Sequence, residues 1–387
     1  MGKMDEMNKM WRAEFAYLHW YDEFWFKDFG YSKVECSLAH PSVAVAIEGW
    51  GTRMLSPVGE NRMAVYLVTG AAGFIGSWLT EALVERGDTV RALDNFSTGK
   101  RENLAPWRDK IEMLEVDLRD EQAVAKACEG VEIIFHEGAI PSVPLSVKDP
   151  RTSHTANIDG TFNLLEGARH AKVKRVVYAA SSSAYGNKNP LPQRESMLPG
   201  PLSPYAVQKL VGELYLHSYW EMYGLETVAL RYFNIFGPRQ APDSPYSGVM
   251  AKFASMMLAG EQPTIHGDGE QSRDFTYIEN VVQANLKAAA APADKVAGRM
   301  FNCACGEPKT LNETYRQLAK LTGYKNPPQY GPPREGDIKH SYADISAARE
   351  ALGYQPNVDF LEGLRRTVAW YREQHVAGSR STAVARA

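Results

Sequence analysis

The chain has 387 residues, and its 43 basic and 46 acidic side chains give a net charge of −3. This length suffices for a large hydrophobic core. The near-balanced charge excludes a global attraction to nucleic acid or to an anionic membrane, so any phosphate recognition has to be local. No apolar run approaches the roughly 20 residues that span a bilayer. The four cysteines indicate neither a disulfide framework nor a metal site, which predicts a cytoplasmic protein without a bound metal.

The first 62 residues contain four of the eight tryptophans and no apolar core behind a basic segment, so a signal peptide is not predicted. Met63 stands directly before the first predicted strand. Two interpretations stay open. Residues 1–62 form an extension that packs on the body or on a partner, or an upstream start codon was assigned in error. The position of Met63 favours the second.

An apolar run from Tyr66 ends in three glycines spaced three apart, Gly70, Gly73 and Gly76, and a helical pattern follows at once. Glycine permits a tight turn there and lets the backbone approach a pyrophosphate, which the N-terminus of the helix then faces. Asp94 ends the second predicted strand 24 residues after Gly70, near the ~20 expected for the acid that binds the adenosine ribose. A carboxylate there repels a 2′-phosphate. The pattern predicts a site for NAD rather than NADP, with an ordinary strand–turn–helix as the alternative.

Strand and helix patterns alternate after this turn. Further strands are predicted near 89–94, 111–117, 131–136, 173–180 and 226–232, separated by helices at 120–129, 156–171 and 205–223. This alternation predicts an α/β fold, in which a parallel sheet is covered by helices on both faces.

The regular alternation of strands and helices ends at about residue 238. From there proline and glycine become frequent, and short strands mix with helices at 248–260, 279–291 and 311–322. We expect a smaller substrate lobe at the carboxyl edge of the sheet, where such sheets bind ligands. The predicted division is an extension at 1–62, a dinucleotide-binding domain at 63–237, a lobe at 238–377 with segments that return to that domain, and a disordered tail at 378–387.

Tyr205 and Lys209 are four residues apart on a predicted helix and so share one face. An ammonium beside a phenol lowers the pKa of the phenol, which can then accept a proton from a sugar hydroxyl while hydride leaves the same carbon. Ser181 follows a buried strand, so its hydroxyl is expected at the same sheet edge, within reach of the reacting oxygen. A half-exposed packing pair is the alternative for Tyr205 and Lys209.

Together these motifs resemble the extended short-chain dehydrogenase/reductase family, specifically its nucleotide-sugar epimerases, over residues 63–372. The resemblance implies a Rossmann-type doubly wound parallel sheet with a smaller mixed α/β lobe at its C-terminal edge. It also implies NAD retained through the cycle, with Tyr205 as base, Lys209 orienting Tyr205 and the nicotinamide ribose, and Ser181 assisting at the sugar O4. The residues that it assigns to the cofactor are Gly70, Gly73, Phe74, Ile75, Gly76, Asp94, Asn95, Ser97, Asp117, Leu118, Tyr205 and Lys209.

The segment from His136 to Ala139 resembles the part of the family that passes beneath the cofactor. Two of its residues depart from the usual pattern, because Glu137 and Gly138 stand where small apolar residues are more common. The resemblance implies that this segment passes beneath the cofactor.

The same resemblance places uridine diphosphate in the second lobe. It implies that Asn234 contacts the substrate phosphate, that Val249 lines the uracil pocket, and that Arg273, Arg334 and Asp337 bind the diphosphate and ribose. Both arginines stand in glycine-rich turns, which suits bidentate contact with phosphate. Solvated surface ion pairs are the alternative. The predicted substrate site is completed by Ser142, Ser182, Ser183 and Ser341.

The reaction type depends on the segment Ser181–Ser183. Related 4,6-dehydratases typically carry Thr-Asp-Glu there, and decarboxylating relatives keep an acidic residue. Three hydroxyl groups lack the acid and base that elimination requires. We therefore expect 4-epimerisation, in which C4 is oxidised, the 4-ketose rotates, and hydride returns to the opposite face.

The preferred sugar depends on Ser341, seven residues after Arg334. A bulky tyrosine there restricts related epimerases to unsubstituted hexoses, so serine predicts acceptance of N-acetylhexosamines, as does the resemblance of residues 140–144 to epimerases that prefer them. The expected pair is UDP-N-acetylglucosamine and UDP-N-acetylgalactosamine. UDP-glucose and UDP-glucuronate are alternative substrates, and an NAD-sensing binding protein is the non-enzyme alternative. The resemblance also implies a homodimer through the helices at 156–171 and 205–223.

Overall fold

The computed structural model describes residues 64–242, 248–333 and 338–384, with side chains as far as His375. The described residues belong to one compact unit. The predicted extension at 1–62, and Arg334 and Asp337 of the predicted diphosphate site, lie outside the described residues. The predicted domain boundaries stay predictions.

Strands and helices alternate through the first half of the described chain. The strands are β1 (Val65–Thr69), β2 (Thr89–Asp94), β3 (Ile111–Glu115), β4 (Ile133–His136), β5 (Arg175–Ser181), β6 (Glu226–Tyr232), β7 (Ile235–Phe236), β8 (Thr264–His266), β9 (Ser272–Asp274), β10 (Thr276–Tyr277), β11 (Arg299–Cys303), β12 (Pro308–Thr310), β13 (Gln329–Gly331) and β14 (His340–Ser341). The α-helices are α1 (Phe74–Glu85), α2 (Glu121–Cys128), α3 (Val143–Lys148), α4 (Pro150–His154), α5 (Gly160–His170), α6 (Pro204–Tyr223), α7 (Val249–Leu258), α8 (Ile278–Ala290), α9 (Ala293–Val296), α10 (Leu311–Thr322), α11 (Ser346–Leu352) and α12 (Phe360–Val384).

The main sheet has seven strands in the order β11-β6-β5-β4-β1-β2-β3, and every neighbouring pair is parallel. This is the predicted doubly wound α/β fold. In the register, Thr69 lies opposite His136, and Ser181 lies opposite Tyr232. The carboxyl ends of the central strands therefore meet at one edge, which is where sheets of this kind bind ligands.

Apolar side chains cover both faces of the sheet. One cluster joins the sheet to α1 through Leu79 and Leu83, and the other joins it to α5 and α6 through Leu164 and Leu216. In β5 the first six residues, from Arg175 to Ala180, are buried. A strand covered on both faces is expected to be buried in this continuous way.

The second half of the chain forms shorter sheets, β10-β7, β12-β9-β14 and β13-β8. Strand β11 returns to the edge of the main sheet beside β6. The last helix, α12, extends to Val384, and the disordered tail at 378–387 stays a prediction.

Candidate active site

The glycine turn after β1 forms a cradle that has no space for a side chain at Gly70 or Gly76. Gly70 has φ +64°, and a Cβ on it would lie 2.8 Å from the backbone of Gly138. A Cβ on Gly76 would lie only 2.1 Å from the carbonyl oxygen of Gly70. The amide of Gly73 donates to that same carbonyl at 3.0 Å, which closes the turn directly before Phe74 and Ile75 open α1. The cradle thus exposes backbone at a helix N-terminus, as pyrophosphate binding requires.

Asp94 ends β2 beside this cradle and is buried. Its carboxylate oxygens accept hydrogen bonds from the amide of Ala72 at 2.9 Å and from the amide of Phe96 at 2.7 Å. Burial raises the pKa of Asp94, while these two amides oppose the shift. Each carboxylate oxygen has a second lone pair, so Asp94 retains capacity for ribose hydroxyls.

The other predicted adenosine-side residues form one hydrogen-bonded group. Asn95 donates to Asp117 at 2.9 Å and accepts from the hydroxyl of Ser97 at 2.7 Å. The guanidinium of Arg119 holds the pKa of Asp117 far below its usual range. Leu118 lies close enough to Gly138 that a Cβ there would meet its Cδ1 at 2.7 Å.

His136 ends β4 and joins three elements beneath the glycine turn. Its Nδ1 lies 2.7 Å from the hydroxyl of Thr69, and its Nε2 lies 2.9 Å from that of Thr161. Thr161 donates its own proton to the carbonyl of Asn157 at 2.7 Å, so it accepts from His136. The imidazole is therefore neutral with its proton on Nε2, and burial lowers the pKa of His136 to about 3.

Tyr205 and Lys209 lie on the first turns of α6, which begins at Pro204. The hydroxyl of Ser203 caps this helix by accepting from the amide of Ala206 at 3.2 Å. Lys209 is 3% exposed, donates to the carbonyl of Ala179 at 2.8 Å, and lies 4.8 Å from the centre of the Tyr178 ring. The cap and this contact orient the helix so that Tyr205 and Lys209 face the carboxyl end of β5.

The electrostatics of Tyr205 differ from the sequence expectation. Burial raises the pKa of Tyr205 to about 12, and the hydroxyl of Ser181 opposes this shift. The Lys209 ammonium, which was expected to lower the pKa of Tyr205, donates to a backbone carbonyl instead. Desolvation thus outweighs the stabilisation of a phenolate at this position.

Ser181 stands at the end of β5, as predicted, and its oxygen organises the following turn. It accepts from the amide of Ser183 at 3.2 Å and from the Ser183 hydroxyl at 2.8 Å. Ser182 begins a short 3₁₀ turn at this point and is half-buried. Because Ser183 supplies the proton of their shared hydrogen bond, the Ser181 proton remains available to Tyr205 or to a bound oxygen.

A cavity of about 250 Å³ brings together three of the predicted nucleotide residues, Asn234, Val249 and Arg273. Asn234 has φ +40° and donates to the carbonyl of Asp274 at 3.1 Å. Arg273 donates to the carbonyl of Ser272 at 2.9 Å. Three lining residues that the sequence did not single out are Phe253, His266 and Leu311. No sequence motif identifies these three residues as part of the cavity, since their proximity depends on the packing of α7 and α10.

The last two predicted substrate residues have different surroundings. Ser341 is buried, lies opposite Arg273 in the β14–β9 register, and its hydroxyl lies 3.4 Å from the side-chain oxygen of Gln193. Ser142 is also buried, but its hydroxyl caps α3 by accepting from the amide of Leu145 at 3.0 Å. Ser142 therefore caps a helix, and its contact with the substrate stays a prediction.

Taken together, a glycine cradle at a helix N-terminus, an acid at the end of β2 and a Tyr/Lys/Ser group at the same sheet edge define a dinucleotide-dependent enzyme of the Rossmann type. The residues present fit NAD, because Gly70 and Gly76 admit no Cβ and the Asp94 carboxylate opposes a 2′-phosphate. In the described part of the chain there is no cluster of three potential metal ligands and no helix long and apolar enough to cross a membrane.

Comparison with known proteins supports this class. The model of the NAD dependent epimerase/dehydratase family matches residues 66–304, and the chain belongs to this family. It is 40% identical to UDP-glucose 4-epimerase from Mycolicibacterium smegmatis, over 80% of this chain and 98% of the relative. It is 32% identical to UDP-glucuronate 4-epimerase from Thermodesulfobacterium geofontis, over 80% of this chain and 97% of the relative.

A solved structure is similar over the same part of the chain. It is UDP-N-acetylglucosamine 4-epimerase from Methanobrevibacter ruminantium in complex with UDP-N-acetylmuramic acid, with a TM-score of 0.76 and 41% identity, over 81% of this chain and 99% of that one. The prediction of an NAD-dependent nucleotide-sugar 4-epimerase is confirmed at this level. The three relatives differ in the sugar that they are named for.

Proposed function

We propose that this enzyme interconverts UDP-N-acetylglucosamine and UDP-N-acetylgalactosamine. The observation that carries the proposal is the small side chain of Ser341, which lies directly opposite Arg273 between β9 and β14. If Arg273 binds the diphosphate, the sugar extends past position 341. A serine occupies less space there than the tyrosine of related epimerases, and its hydroxyl and Gln193 are polar groups that suit the amide of an N-acetyl group.

The proposed catalytic groups are Tyr205, Lys209 and Ser181. Bound NAD supplies reversible hydride acceptance at C4. The Tyr205 phenolate takes the proton of the C4 hydroxyl and returns it to the same oxygen after the ketose has rotated, so no net proton is consumed. Ser181 donates to that oxygen at the sheet edge. Lys209 donates to the Ala179 carbonyl, and its proposed role is to orient Tyr205 and the nicotinamide ribose. Burial raises the pKa of Tyr205 to about 12, and the hydroxyl of Ser181 opposes that shift.

The nucleotide would lie in the cavity of Asn234, Val249 and Arg273, and Asp94 would hold the adenosine ribose of NAD. Arg334 and Asp337 remain proposed ligands of the diphosphate and ribose. UDP-glucose and UDP-glucuronate remain alternative substrates, and a protein that only senses NAD remains the non-enzyme alternative.

The role of position 341 in substrate selection is tested by comparing Ser341→Tyr with Ser341→Ala. We expect the tyrosine variant to lose turnover of UDP-N-acetylglucosamine selectively while UDP-glucose turnover persists, because tyrosine fills the space of the acetyl group. The alanine variant keeps that space and is expected to retain both activities. Equal loss of both activities in Ser341→Tyr would contradict the proposed role of Ser341 in substrate selection.

We also propose that the enzyme forms a homodimer through α5 and α6. Exposed apolar side chains follow these helices, among them Phe162 (40% exposed), Leu214 (61%) and Met222 (73%). Exposed apolar side chains on neighbouring helices are typical of an interface. Leu214→Glu is expected to yield monomers in analytical ultracentrifugation, whereas Leu361→Glu, an exposed leucine on α12, leaves the mass unchanged. The cytoplasmic location stays a prediction.

A further inference from the structure

The turn Gly237–Gln240 directly follows β7 and borders the cavity assigned to the nucleotide. Asn234 and Ile235 line this cavity before the turn, and Gln240 lines it at the end of the turn. The side-chain amide of Gln240 donates to the carbonyl of Ile235 at 3.1 Å. A Cβ on Gly248, directly before α7, would lie 3.1 Å from the same amide nitrogen. The turn therefore supplies part of the cavity wall at Gln240.

The backbone of this turn is strained at Arg239, which has φ +71°. Residues other than glycine rarely adopt this left-handed conformation, because their Cβ comes too close to the backbone. A strained residue of this kind persists only where surrounding contacts hold it. On one side of Arg239, the carbonyl of Gln240 accepts from the hydroxyl of Tyr371, on α12. The remaining contacts come from the Arg239 side chain and from Pro238.

The Arg239 side chain packs against the cofactor side of the molecule. Its Cζ lies 4.6 Å from the centre of the Trp78 ring and 5.0 Å from the centre of the Trp107 ring. The guanidinium also pairs with the carboxylate of Glu81, and both side chains are mostly buried. Indole rings and carboxylates each attract a guanidinium, and the attraction is stronger where water is partly excluded. These three contacts can hold Arg239 in its strained conformation.

The helix α1 joins this turn to the glycine cradle. The indole N–H of Trp78 donates to the carbonyl of Pro238 at 3.1 Å. Two consecutive residues of the turn are thus held by α1, Pro238 through its carbonyl and Arg239 through its side chain. Gly76 of the cradle lies in the first turn of the same helix, close to Trp78. One helix therefore contacts the cofactor cradle and the border of the nucleotide cavity.

We propose that Arg239 is a positioning residue for nucleotide binding, which holds the turn Gly237–Gln240 against α1 so that the cavity is formed before the nucleotide binds. The proposal rests on the nucleotide site assigned under the proposed function. A loop that is already ordered does not have to lose conformational freedom on binding, so affinity increases. Arg239 is not one of the described residues that line the cavity, so a substitution there acts on the nucleotide through the turn.

The experiment measures the dissociation constant of UDP by isothermal titration calorimetry on the full-length, NAD-loaded enzyme. UDP is common to UDP-N-acetylglucosamine, UDP-glucose and UDP-glucuronate, so the result does not depend on the preferred sugar. Arg239→Gly removes the side-chain contacts and permits the positive φ without strain. Arg239→Asn also removes them, and asparagine tolerates a positive φ but is less flexible than glycine.

We expect the Kd of UDP to rise by about 10-fold in both Arg239 variants. The KM of the sugar nucleotide is expected to rise in parallel, while kcat and the amount of bound NAD stay near wild type. A general loss of structure would lower kcat and NAD retention as well, so this split distinguishes a positioning role from a structural one.

Three further variants control the interpretation. Glu81→Gln removes the charge of the ion pair, and Trp107→Leu removes one of the two rings. Each is expected to reproduce part of the rise in Kd, and both serve as the test if the Arg239 variants do not fold. Glu85→Gln removes an exposed charge from the same helix and is expected to change nothing.

Several outcomes overturn the proposal. An unchanged Kd in the Arg239 variants means that these contacts do not support the cavity, although the nucleotide site itself would stand. A rise confined to Arg239→Gly would point to backbone flexibility, and a rise accompanied by loss of NAD would point to the glycine cradle. A wild-type enzyme that does not bind UDP contradicts the assigned nucleotide site and the proposal with it.

Discussion

On the cofactor side of the site, backbone packing defines the geometry, whereas on the sugar side short strands bring together side chains that are distant in sequence. Gly70, Gly76 and Gly138 approach one another so closely that an added Cβ would collide with backbone or with a neighbouring side chain. Arg273 and Ser341 meet only because β9 pairs with β14. The cofactor side is therefore expected to tolerate less change, and the sugar side to determine specificity.

The largest effect is expected from Gly76→Ala, on the cofactor side. The added Cβ would lie 2.1 Å from the Gly70 carbonyl oxygen, so the cradle has to open. We expect loss of the NAD that copurifies with the protein, measured by absorbance after denaturation. Gly87→Ala, at the other end of α1, is the matched control. Its Cβ meets no atom within 4 Å, and only its φ of +87° is strained, so we expect retained NAD and a loss of about 1 kcal/mol in unfolding free energy.

The Tyr205→Phe variant tests the proposed base, at which the cofactor side and the sugar side of the site meet. Removing the proposed base is expected to lower kcat by about 10²- to 10⁴-fold. Bound NAD and the melting temperature should stay near wild type, since the ring remains. Tyr223→Phe, an exposed tyrosine at the end of the same helix, is the control and should retain full activity. A Tyr205→Phe enzyme with near-normal kcat would remove Tyr205 from the mechanism.

Asp274→Asn tests how the sugar side holds its strands together. This buried carboxylate accepts from the amides of Cys305 at 2.9 Å, Gly306 at 2.8 Å and Ala343 at 3.3 Å. Burial raises its pKa to about 6, so it is ionised at pH 8, where the measurement is made. An asparagine nitrogen cannot accept, and the unpaired amides are expected to lower the unfolding free energy by about 1–3 kcal/mol. Asp268→Asn, at an exposed turn, serves as control in the same denaturant titration.

The smallest effect is expected from Arg119→Gln, at the surface of the cofactor side. Arg119 pairs with Asp117 at 2.6 Å, and the side chains are 48% and 31% exposed. Such pairs contribute about 0–1 kcal/mol, so we expect a change in that range and nearly unchanged retention of NAD. Complete loss of NAD in this variant would show that side chains, and not only the backbone cradle, define the cofactor side.

Several elements of the candidate site follow from local sequence patterns. The glycine turn, the acid at the end of β2 and the Tyr205–Lys209 spacing each lie within one βα unit or one helix. Their relative placement follows from the parallel order of the strands. A sequence pattern contains this information because strand ends and helix starts are local properties.

Other features depend on contacts between distant residues. Glu137 meets Tyr232, 95 positions away, and His136 joins Thr69 to Thr161 across β1, β4 and α5. The raised pKa of Tyr205 reflects burial, which residue spacing does not reveal. These effects depend on tertiary packing, and no sequence motif in the chain predicts them.

The most direct test of the proposed 4-epimerisation is an NMR assay of sugar products with purified enzyme and no added NAD. UDP-N-acetylglucosamine, UDP-glucose and UDP-glucuronate are supplied separately. We expect conversion of UDP-N-acetylglucosamine to its C4 epimer. This result would demonstrate that the enzyme retains NAD, that it catalyses 4-epimerisation, and that position 341 accommodates the N-acetyl group. Turnover of UDP-glucose or UDP-glucuronate alone would contradict the role given to Ser341. No turnover of any sugar, even after NAD is added, would contradict the assigned substrates.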